Sequence, residues 1–269
     1  MIEGASPAIT LTGVSLSYED RKVLNNICLE AVKGAYYGIV GPNGSGKTTL
    51  AYIIAGILKP DTGTVDTHGN RVGLILTNPE NQVVSLVVEE DIAFGPENLN
   101  LPSAEIQRRI DSALRATHSE GQRTALTSAL SGGQLAKVVF AGQLAMDTDV
   151  LILDEGTVML DPANRAILLE TIRELNRNLK KTIIHISHRL DDLEAADHIL
   201  GLAGGEIAHQ APGVLPFIRE YHTGIPGIEP GPYLLYREFL SELGISGDSL
   251  EETTKILAWR MQGTKAQRH

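Results

Sequence analysis

The glycine-rich residues 41–48 have the residue types and spacing that hold a phosphate group. They read Gly-Pro-Asn-Gly-Ser-Gly-Lys-Thr, which follows the pattern G-x-x-x-x-G-K-S/T, between an apolar stretch and a helical pattern. Glycines let backbone N–H groups wrap around phosphate, Lys47 can reach the β- and γ-phosphates, and the Thr48 hydroxyl can ligate Mg²⁺. The segment therefore predicts a nucleoside triphosphate site, which many classes of enzyme share. Its candidate nucleotide-binding residues are Gly41, Pro42, Asn43, Gly44, Ser45, Gly46, Lys47, Thr48 and Thr49.

Two acidic residues, Asp154 and Glu155, follow the apolar stretch 150–153. Ligands bind at the carboxyl ends of strands in α/β sheets, so we expect this pair to lie beside the phosphate segment. Asp154 is expected to hold Mg²⁺, mostly through water, and Glu155 to polarise the attacking water as a general base. The alternative for Asp154 is a role as a helix or turn cap.

Strands and helices alternate along the chain, and these elements must position the phosphate site. Such alternation implies a parallel sheet covered by helices on both faces. Two early segments alternate apolar and polar residues, as strands with one buried face do. The predicted strands are 9–18, 27–31, 36–40, 71–76, 150–153 and 182–187, and the predicted helices include 47–58, one from Pro162 and a short one over 191–196.

The middle of the chain, about 83–145, has a mostly helical pattern and is predicted to form a helical subdomain. Ile106, Ile110, Ala113 and Leu114 fall on one face of an amphipathic helix. Beyond residue 224 the composition changes to a linker-like run rich in proline and glycine, followed by two predicted helices near 233–243 and 249–261.

Composition excludes several classes of protein. The 269 residues carry a net charge of -10, which argues against a protein held on nucleic acid by phosphate contacts. The single cysteine, Cys28, excludes an internal disulfide framework. No stretch reaches the roughly 18 apolar residues of a membrane span, and the start of the chain has no signal-peptide pattern. We therefore expect a cytosolic chain that serves a membrane process only by docking to another protein.

Residues 130–134, Leu-Ser-Gly-Gly-Gln, resemble the signature motif of ABC ATPases. The resemblance implies that this motif reaches the γ-phosphate of ATP bound to a second subunit. It also implies ATP and Mg²⁺ as ligands and a second ABC ATPase subunit as partner, in either a homodimer or a heterodimer. The candidate residues from this motif are Ser131, Gly132, Gly133 and Gln134.

Other positions resemble further elements of the same family, in the same order. Tyr18 matches the aromatic residue that stacks on adenine, with an ordinary strand aromatic as the alternative. Gln82 matches the glutamine that touches Mg²⁺, Asp161 lies in the loop that crosses the dimer interface, and His188 matches the histidine that contacts the γ-phosphate. His185 is expected to be a structural strand residue. The resemblance implies Glu155, His188, Gln82 and Lys47 as catalytic residues, and Thr48, Gln82 and Asp154 as metal ligands.

Residues 78–82 and 88–99 are similar to the corresponding segments of energy-coupling factor (ECF) transporters. This resemblance implies an ATPase that powers import of a vitamin or of a transition-metal ion such as cobalt or nickel. Its further partners would be an integral membrane scaffold subunit and a substrate-binding membrane subunit, with no nucleic acid. The chain would then be peripheral, at the cytoplasmic face of the cell membrane.

The ABC resemblance covers about residues 9–210 and implies an α/β P-loop NTPase core. That core has a mixed sheet, an antiparallel β subdomain and a helical subdomain, with a small C-terminal helical appendage. Residues 1–223 would form the ABC ATPase domain, and 224–269 the linker and C-terminal helical element. Dimerisation is one interpretation of that element, and packing on its own domain is the other.

Two departures from the family pattern concern contacts and rate. Leu135, Ala136 and Lys137 replace a polar and basic run, and Gly156 replaces the alanine that usually follows the Asp-Glu pair. Three alternatives remain open from the sequence: the ATPase of another kind of ABC transporter, a soluble ABC ATPase, and a nucleotide-gated regulator. Glu155 and His188, both present, speak against the last.

Overall fold

The computed structural model describes residues 6–158 and 160–221, so the predicted linker and C-terminal helices over 224–269 lie outside the described residues. The elements follow one another in the order β1, β2, β3, α1, β4, β5, α2, α3, α4, β6, α5, β7, β8, β9 and α6. The strands are β1 Pro7–Tyr18, β2 Arg21–Val32, β3 Tyr36–Val40, β4 Thr62–Asp66, β5 Val72–Ile75, β6 Val150–Asp154, β7 Thr182–Ile186, β8 His198–Ala203 and β9 Glu206–Ala211. The helices are α1 Lys47–Ile54, α2 Val88–Asn98, α3 Ser103–Ala116, α4 Gly132–Ala145, α5 Pro162–Arg177 and α6 Val214–Tyr221.

A six-stranded sheet in the order β5-β6-β7-β3-β8-β9 forms the centre of the fold. Its first five strands are parallel, and β9 pairs antiparallel with β8. Strands β3, β6 and β7 are buried along their whole length, as expected for parallel strands covered on both faces. The sheet is therefore mixed, and it brings the carboxyl ends of β3 and β6 to the same edge.

A second, antiparallel sheet in the order β2-β1-β4 lies against the same core. Helix α1 contributes Leu50, Ile53 and Ile54 to a hydrophobic cluster that also includes Ile9 of β1 and Ile152 of β6. Burial of this shared apolar surface, at roughly 25 cal/mol per Å², holds α1 and the loop before it in place. The α/β fold with a mixed sheet and an antiparallel β subdomain, expected from the sequence, is confirmed.

Helices α2, α3 and α4 have a hydrophobic cluster of their own. Ile106, Ile110, Ala113 and Leu114 are all buried in it, so the apolar face predicted for α3 is the face that packs. The cluster also contains Val88, Ile92 and Ala93 of α2 and Val138, Ala141 and Ala145 of α4.

Several element bounds differ from the sequence predictions. Helix α1 ends at Ile54 instead of residue 58, because Gly56 takes a left-handed φ of 74° and its N–H bonds to the Ile53 carbonyl. The predicted helix over 191–196 is a 3₁₀ turn, Leu190–Leu193. Strand β4 was not predicted because its residues are mostly exposed and show no apolar face; pairing with β1 forms it. Strands β8 and β9 and helix α6 were also missed.

Candidate active site

The loop between β3 and α1 is held by its own backbone and by Lys47. Ser45 N–H donates to the Pro42 carbonyl at 3.2 Å, and the Lys47 ammonium donates to the Gly41 and Pro42 carbonyls at 2.9 and 3.0 Å. Gly46 precedes the helix with φ 101°, and a Cβ there would lie 2.8 Å from the Val23 carbonyl oxygen. Only glycine combines that dihedral with that approach, so the loop is preformed around the helix N-terminus.

Two buried polar groups in this loop are suited to an anion. Burial lowers the pKa of Lys47, while the nearby Glu155 and Asp154 carboxylates act in the opposite direction. The Ser45 hydroxyl is buried and has no hydrogen-bond partner within residues 6–158 and 160–221, which is costly for a polar group unless a ligand supplies one. A phosphate oxygen would accept from the hydroxyl and would compensate the buried ammonium.

An open cleft of about 430 Å³ lies over this loop. Tyr18, half exposed at the end of β1, lines this cleft together with Glu155. A cleft lined by an aromatic ring and by a glycine-rich loop with a lysine suits a nucleotide, with its base toward Tyr18 and its phosphates toward Lys47. The lining residues are Tyr18, Glu19, Arg21, Val23, Asn43, Gly44, Gly46, Lys47, Thr48, Thr49 and Glu155.

Asp154, the last residue of β6, is buried beside Thr48. Burial raises the pKa of Asp154, and a hydrogen bond from the Thr48 side chain opposes that shift. No group of three or more His, Cys, Asp or Glu within residues 6–158 and 160–221 is arranged to hold a metal. One carboxylate and one hydroxyl fit Mg²⁺, which takes few protein ligands and completes its shell with water and substrate phosphates.

Glu155 and His188 form a contact at the edge of the cleft. The His188 Nε2 and Glu155 Oε1 atoms are 2.7 Å apart, and both side chains are partly exposed. Glu155 has a left-handed φ of 53°, and its N–H donates to the Ile186 carbonyl at 3.0 Å, which joins the end of β6 to the end of β7. The imidazole can therefore orient the carboxylate, and the carboxylate can accept a proton from a water molecule in the cleft.

Three other sets of predicted site residues do not line this cleft. The Gln82 amide is bonded to the backbone of β5 and the residue after it: it accepts from Leu76 N–H at 2.7 Å and donates to the Leu74 carbonyl at 2.8 Å. Asp161 is the N-cap of α5, where it accepts from the backbone N–H groups of Ala163 and Asn164.

The third set lies at the start of α4. Ser131 is the N-cap of this helix, and its hydroxyl and the Gln134 side chain form a reciprocal capping box. Ser131 and Gly132 are exposed. An exposed helix N-terminus with small residues is suited to binding an anion.

The two departures from the family pattern have structural explanations. Leu135, Ala136 and Lys137 are buried, and the Lys137 ammonium donates to the His118 carbonyl at 3.2 Å. These three residues therefore pack the interior of the protein. A Cβ at Gly156 would lie 3.2 Å from Ile75 Cγ2, a tighter contact than usual, so glycine fits this place without displacement of β5.

Sequence reasoning missed residues that the structure brings near the site. Arg21 lines the cleft because it pairs with Tyr18 across the β1–β2 turn. Asp192, four residues after His188, bonds to groups next to both Glu155 and His188. The position of Arg21 could have been inferred from the hairpin, whereas the contacts of Asp192 depend on tertiary packing.

Residues 24–158 match the model of the ABC transporter family. The ECF transporter ATP-binding protein EcfA1 of Symbiobacterium thermophilum is 41% identical over 224 residues, which cover 75% of this chain and 78% of that protein. The cobalt import ATP-binding protein CbiO of Syntrophus aciditrophicus is 36% identical over 265 residues, covering 90% and 92% of the two chains.

Among solved structures, this chain is similar to cbiO1 from Clostridium perfringens, described as part of the ABC transporter complex cbiONQ. The TM-score is 0.72 at 29% identity, and the superposition covers 88% of this chain and 96% of that one. Among the described residues, no helix is both long and apolar enough to cross a bilayer.

Proposed function

This chain belongs to the ABC transporter family as an ATP-hydrolysing protein of the ECF type, and we propose that it powers uptake of a vitamin or a transition-metal ion of the cobalt and nickel class. The transported solute would pass through a separate membrane subunit. The observation that carries the catalytic part is the contact between Glu155 and His188 at the cleft over Lys47. The name of the Syntrophus relative, a cobalt importer, supports the class of cargo.

Binding of ATP is assigned to the loop and the cleft. Lys47 and the backbone N–H groups of residues 41–48 would hold the β- and γ-phosphates, with the unpartnered Ser45 hydroxyl as a further donor. Tyr18 would stack on adenine. Thr48 and Asp154 would hold Mg²⁺, which neutralises charge on the phosphates when bound.

Hydrolysis is assigned to Glu155 and His188. The Glu155 carboxylate would take a proton from water as the water oxygen bonds to the γ-phosphorus and ADP leaves. The adjacent His188 would orient that carboxylate and donate to a γ-phosphate oxygen. The position of this pair at the carboxyl ends of β6 and β7, beside Lys47, supports these roles.

A complete site would need two chains. The exposed start of α4 would present Ser131, Gly132, Gly133 and Gln134 to ATP bound in a partner ATPase, identical or related, and Asp161 would lie at the interface. ATP would then favour the closed pair by differential affinity. Gln82 is bonded to β5 and lies just before α2, which supports a role in carrying closure to the helical subdomain about 83–145.

The helical region also offers an apolar surface for an integral membrane subunit. Val84, Leu86, Phe94 and Leu126 are large apolar side chains that are about half exposed or more. Exposed apolar residues close together mark interaction sites, and Thr127 N–H bonds to the Leu86 carbonyl, which brings two of the segments together. A membrane scaffold docked here would place the chain at the cytoplasmic face of the membrane. Residues 224–269 are proposed as a separate C-terminal element.

Substitution Glu155→Gln tests the catalytic assignment. The amide keeps the shape of the side chain but cannot take a proton, so this variant should bind ATP, dimerise and hydrolyse at least about a hundredfold more slowly. ATP turnover and ATP-dependent dimerisation of the purified chain are measured together. Glu97→Gln, on the exposed side of α2, is the matched control and should keep normal turnover. Near-normal turnover in Glu155→Gln would contradict the assignment.

Affinity purification of the chain from native membranes tests the transport function. We expect recovery of an integral membrane scaffold together with a small substrate-binding membrane protein. Recovery of a conventional transporter without such a small subunit would indicate another ABC transporter. Recovery of ribosomes or DNA would contradict the transport function and would support the alternative, a soluble ABC ATPase.

A further inference from the structure

A buried carboxylate behind the catalytic pair joins three separate segments of the chain. Asp192 lies on the 3₁₀ turn Leu190–Leu193, and its side chain is 1% exposed. Its Oδ2 atom accepts from Thr157 Oγ1 at 2.7 Å and from Ser187 Oγ at 3.2 Å, while Oδ1 pairs with the Arg165 guanidinium. Three donors thus compensate a charge that would be costly to bury alone.

Two of these donors stand directly beside the proposed catalytic residues. Thr157 is two residues after Glu155, and Ser187 is the residue before His188. The Ser187 hydroxyl also accepts from Arg189 N–H at 3.0 Å, so its hydrogen bonds hold both neighbours of His188. Displacement of Asp192 would therefore loosen the two segments whose side chains meet at 2.7 Å.

The third donor leads toward the proposed dimer interface. Arg165 lies in the first turn of α5, and its N–H donates to the carbonyl of Asp161, the N-cap of that helix. Asp192 thereby connects the segment that would meet the partner chain with the segments that carry Glu155 and His188.

The backbone at Glu155 needs such support. Its left-handed φ of 53° is unfavourable for a non-glycine residue and persists only where surrounding contacts determine the conformation. The hydrogen bond from the Glu155 N–H to the Ile186 carbonyl supplies one such contact. The hydrogen bond from Thr157 to Asp192, two residues further along the chain, supplies a second.

We propose that Asp192 is a positioning residue for ATP hydrolysis, which through Thr157 and Ser187 holds Glu155 and His188 in their reactive arrangement. Through Arg165 it makes that arrangement responsive to the loop at Asp161. The proposal rests on the proposed roles of Glu155 and His188. Asp192 does not touch the nucleotide; it limits the freedom of the group that takes the proton, and small misplacements of such a group slow a reaction strongly.

The hydroxyl of Thr157 is the cleanest probe, because loss of the Asp192 charge would leave Arg165 buried without its anion. Thr157→Val removes the donor at constant shape and should lower kcat about fivefold to tenfold with KM for ATP unchanged, the effect of one lost hydrogen bond. Thr157→Ser restores the donor and should recover kcat. Thr171→Val, which removes another buried threonine hydroxyl bonded to the Ala116 and Ile167 carbonyls, is the matched control and should leave kcat within about twofold.

A double-mutant cycle separates positioning from general loss of structure. In the Glu155→Gln background, Thr157→Val should cause no further loss of turnover, because the group that it positions is already disabled. Unchanged kcat in Thr157→Val, an equal loss in Thr171→Val, or a full further loss in the Glu155→Gln background would each overturn the proposal. Normal turnover of Glu155→Gln alone would contradict the proposed catalytic role of Glu155. That result is distinguishable from the three results that would overturn the role of Asp192.

A second pair of variants carries the same test if Thr157→Val does not fold. Ser187→Ala removes the other neutral donor to Asp192, and Ser119→Ala removes a buried serine hydroxyl that bonds to the Thr117 carbonyl at 3.2 Å. We expect loss of kcat at constant KM in Ser187→Ala alone. Equal turnover in the two serine variants would overturn the proposal.

Discussion

Lys47 and Lys137 are both buried lysines whose ammonium groups donate to backbone carbonyls, and only Lys47 lies beside two carboxylates and an open cleft. The two lysines therefore differ in the groups that surround them. At the scale of single residues, burial alone does not identify a binding lysine. A lysine whose pKa is lowered by burial, in spite of the nearby Asp154 and Glu155 carboxylates, lies where charged groups converge, as they do in functional sites.

Substitution Lys47→Met should weaken ATP affinity at least about tenfold, because it removes the cation that pairs with the phosphates. Titration with a fluorescent ATP analogue measures the effect. Lys137→Met is the matched control, a buried lysine remote from the cleft, and should retain affinity within about twofold. Equal affinities of the two variants would contradict the assignment of Lys47.

His185 is a buried histidine that has no place in the reaction. Its Nδ1 atom is 2.8 Å from the Tyr36 hydroxyl, and its Nε2 atom has no hydrogen-bond partner in the part of the chain that the structure describes. Burial, helped by the Arg165 cation, lowers the pKa of His185 to about 3. The folded chain therefore keeps it neutral, while the unfolded chain protonates it near pH 6.5. The structural role expected for His185 accordingly has a consequence for acid stability.

The sign of that consequence follows from proton uptake by the unfolded state. The stability that depends on neutral His185 is complete above pH 6.5 and is lost as the pH falls toward 3, by up to about 1.4 kcal/mol per pH unit. Between pH 7.5 and 5, the free energy of unfolding of the wild type should thus fall by about 2 kcal/mol more than that of His185→Asn. Urea unfolding at the two pH values measures the difference. His118→Asn, at an exposed histidine, should keep the wild-type difference, and the same reduction in both variants would contradict the prediction.

Helices α2 and α4 each contain an internal glycine, and the surroundings of these two glycines differ. Gly142 lies in the interior of α4, and a Cβ there would meet nothing within 4 Å. Gly95 lies in α2, and a Cβ there would come 2.5 Å from Cγ and 2.7 Å from Sδ of Met146. Gly95 therefore permits close packing between α2 and the end of α4, whereas Gly142 has no packing role.

Gly142→Ala should stabilise the protein by about 0.5–1 kcal/mol, since alanine restricts the unfolded chain and favours the helix. Gly95→Ala should destabilise the protein by about 1–2 kcal/mol, because the Met146 side chain must move. The stabilisation from the higher helix propensity of alanine is smaller than this cost of overpacking. Thermal and urea unfolding of the two variants provide the comparison. Stabilisation by both substitutions would show that the Met146 side chain yields at little cost.

At the scale of the whole molecule, the described residues include both halves of the proposed nucleotide site, but the two halves do not line one cleft. The cleft over Lys47 lacks Ser131, which caps α4 and is exposed. Two separate surfaces of one chain can form a single site when two chains pair head to tail. The proposed dimer follows from this separation together with the family of the chain.

Ser131→Asp tests that pairing. Aspartate keeps the helix cap but places a carboxylate where the partner's γ-phosphate would approach, so stability should hold while ATP hydrolysis falls at least about tenfold. Ser131→Asn, equally able to cap and uncharged, should retain most of the activity. ATP affinity of the separate chain should be unchanged in both. Equal turnover of the two variants would exclude a phosphate contact at residue 131.

Much of the fold and of the site could be predicted from the sequence, because the responsible interactions are local. The phosphate loop depends on glycines at set spacing before a helix, and the acid pair on an apolar strand that ends in charge. Strand β3 was predicted with its observed bounds, and the apolar face of α3 was predicted residue by residue. The family resemblance rested on such short motifs and is confirmed by the match of residues 24–158.

Tertiary structure alone decided which side chains meet. The sequence places Glu155 and His188 thirty-three positions apart, and parallel pairing of β6 with β7 brings them to 2.7 Å. Thr157 and Arg165 lie 35 and 27 positions before Asp192 in the sequence, and only the packing of α5 and the turn after β7 brings them to its buried carboxylate. Local pattern determines the kind of element and its chemistry, whereas non-local contacts, formed by burial and strand pairing, determine the geometry in which that chemistry acts.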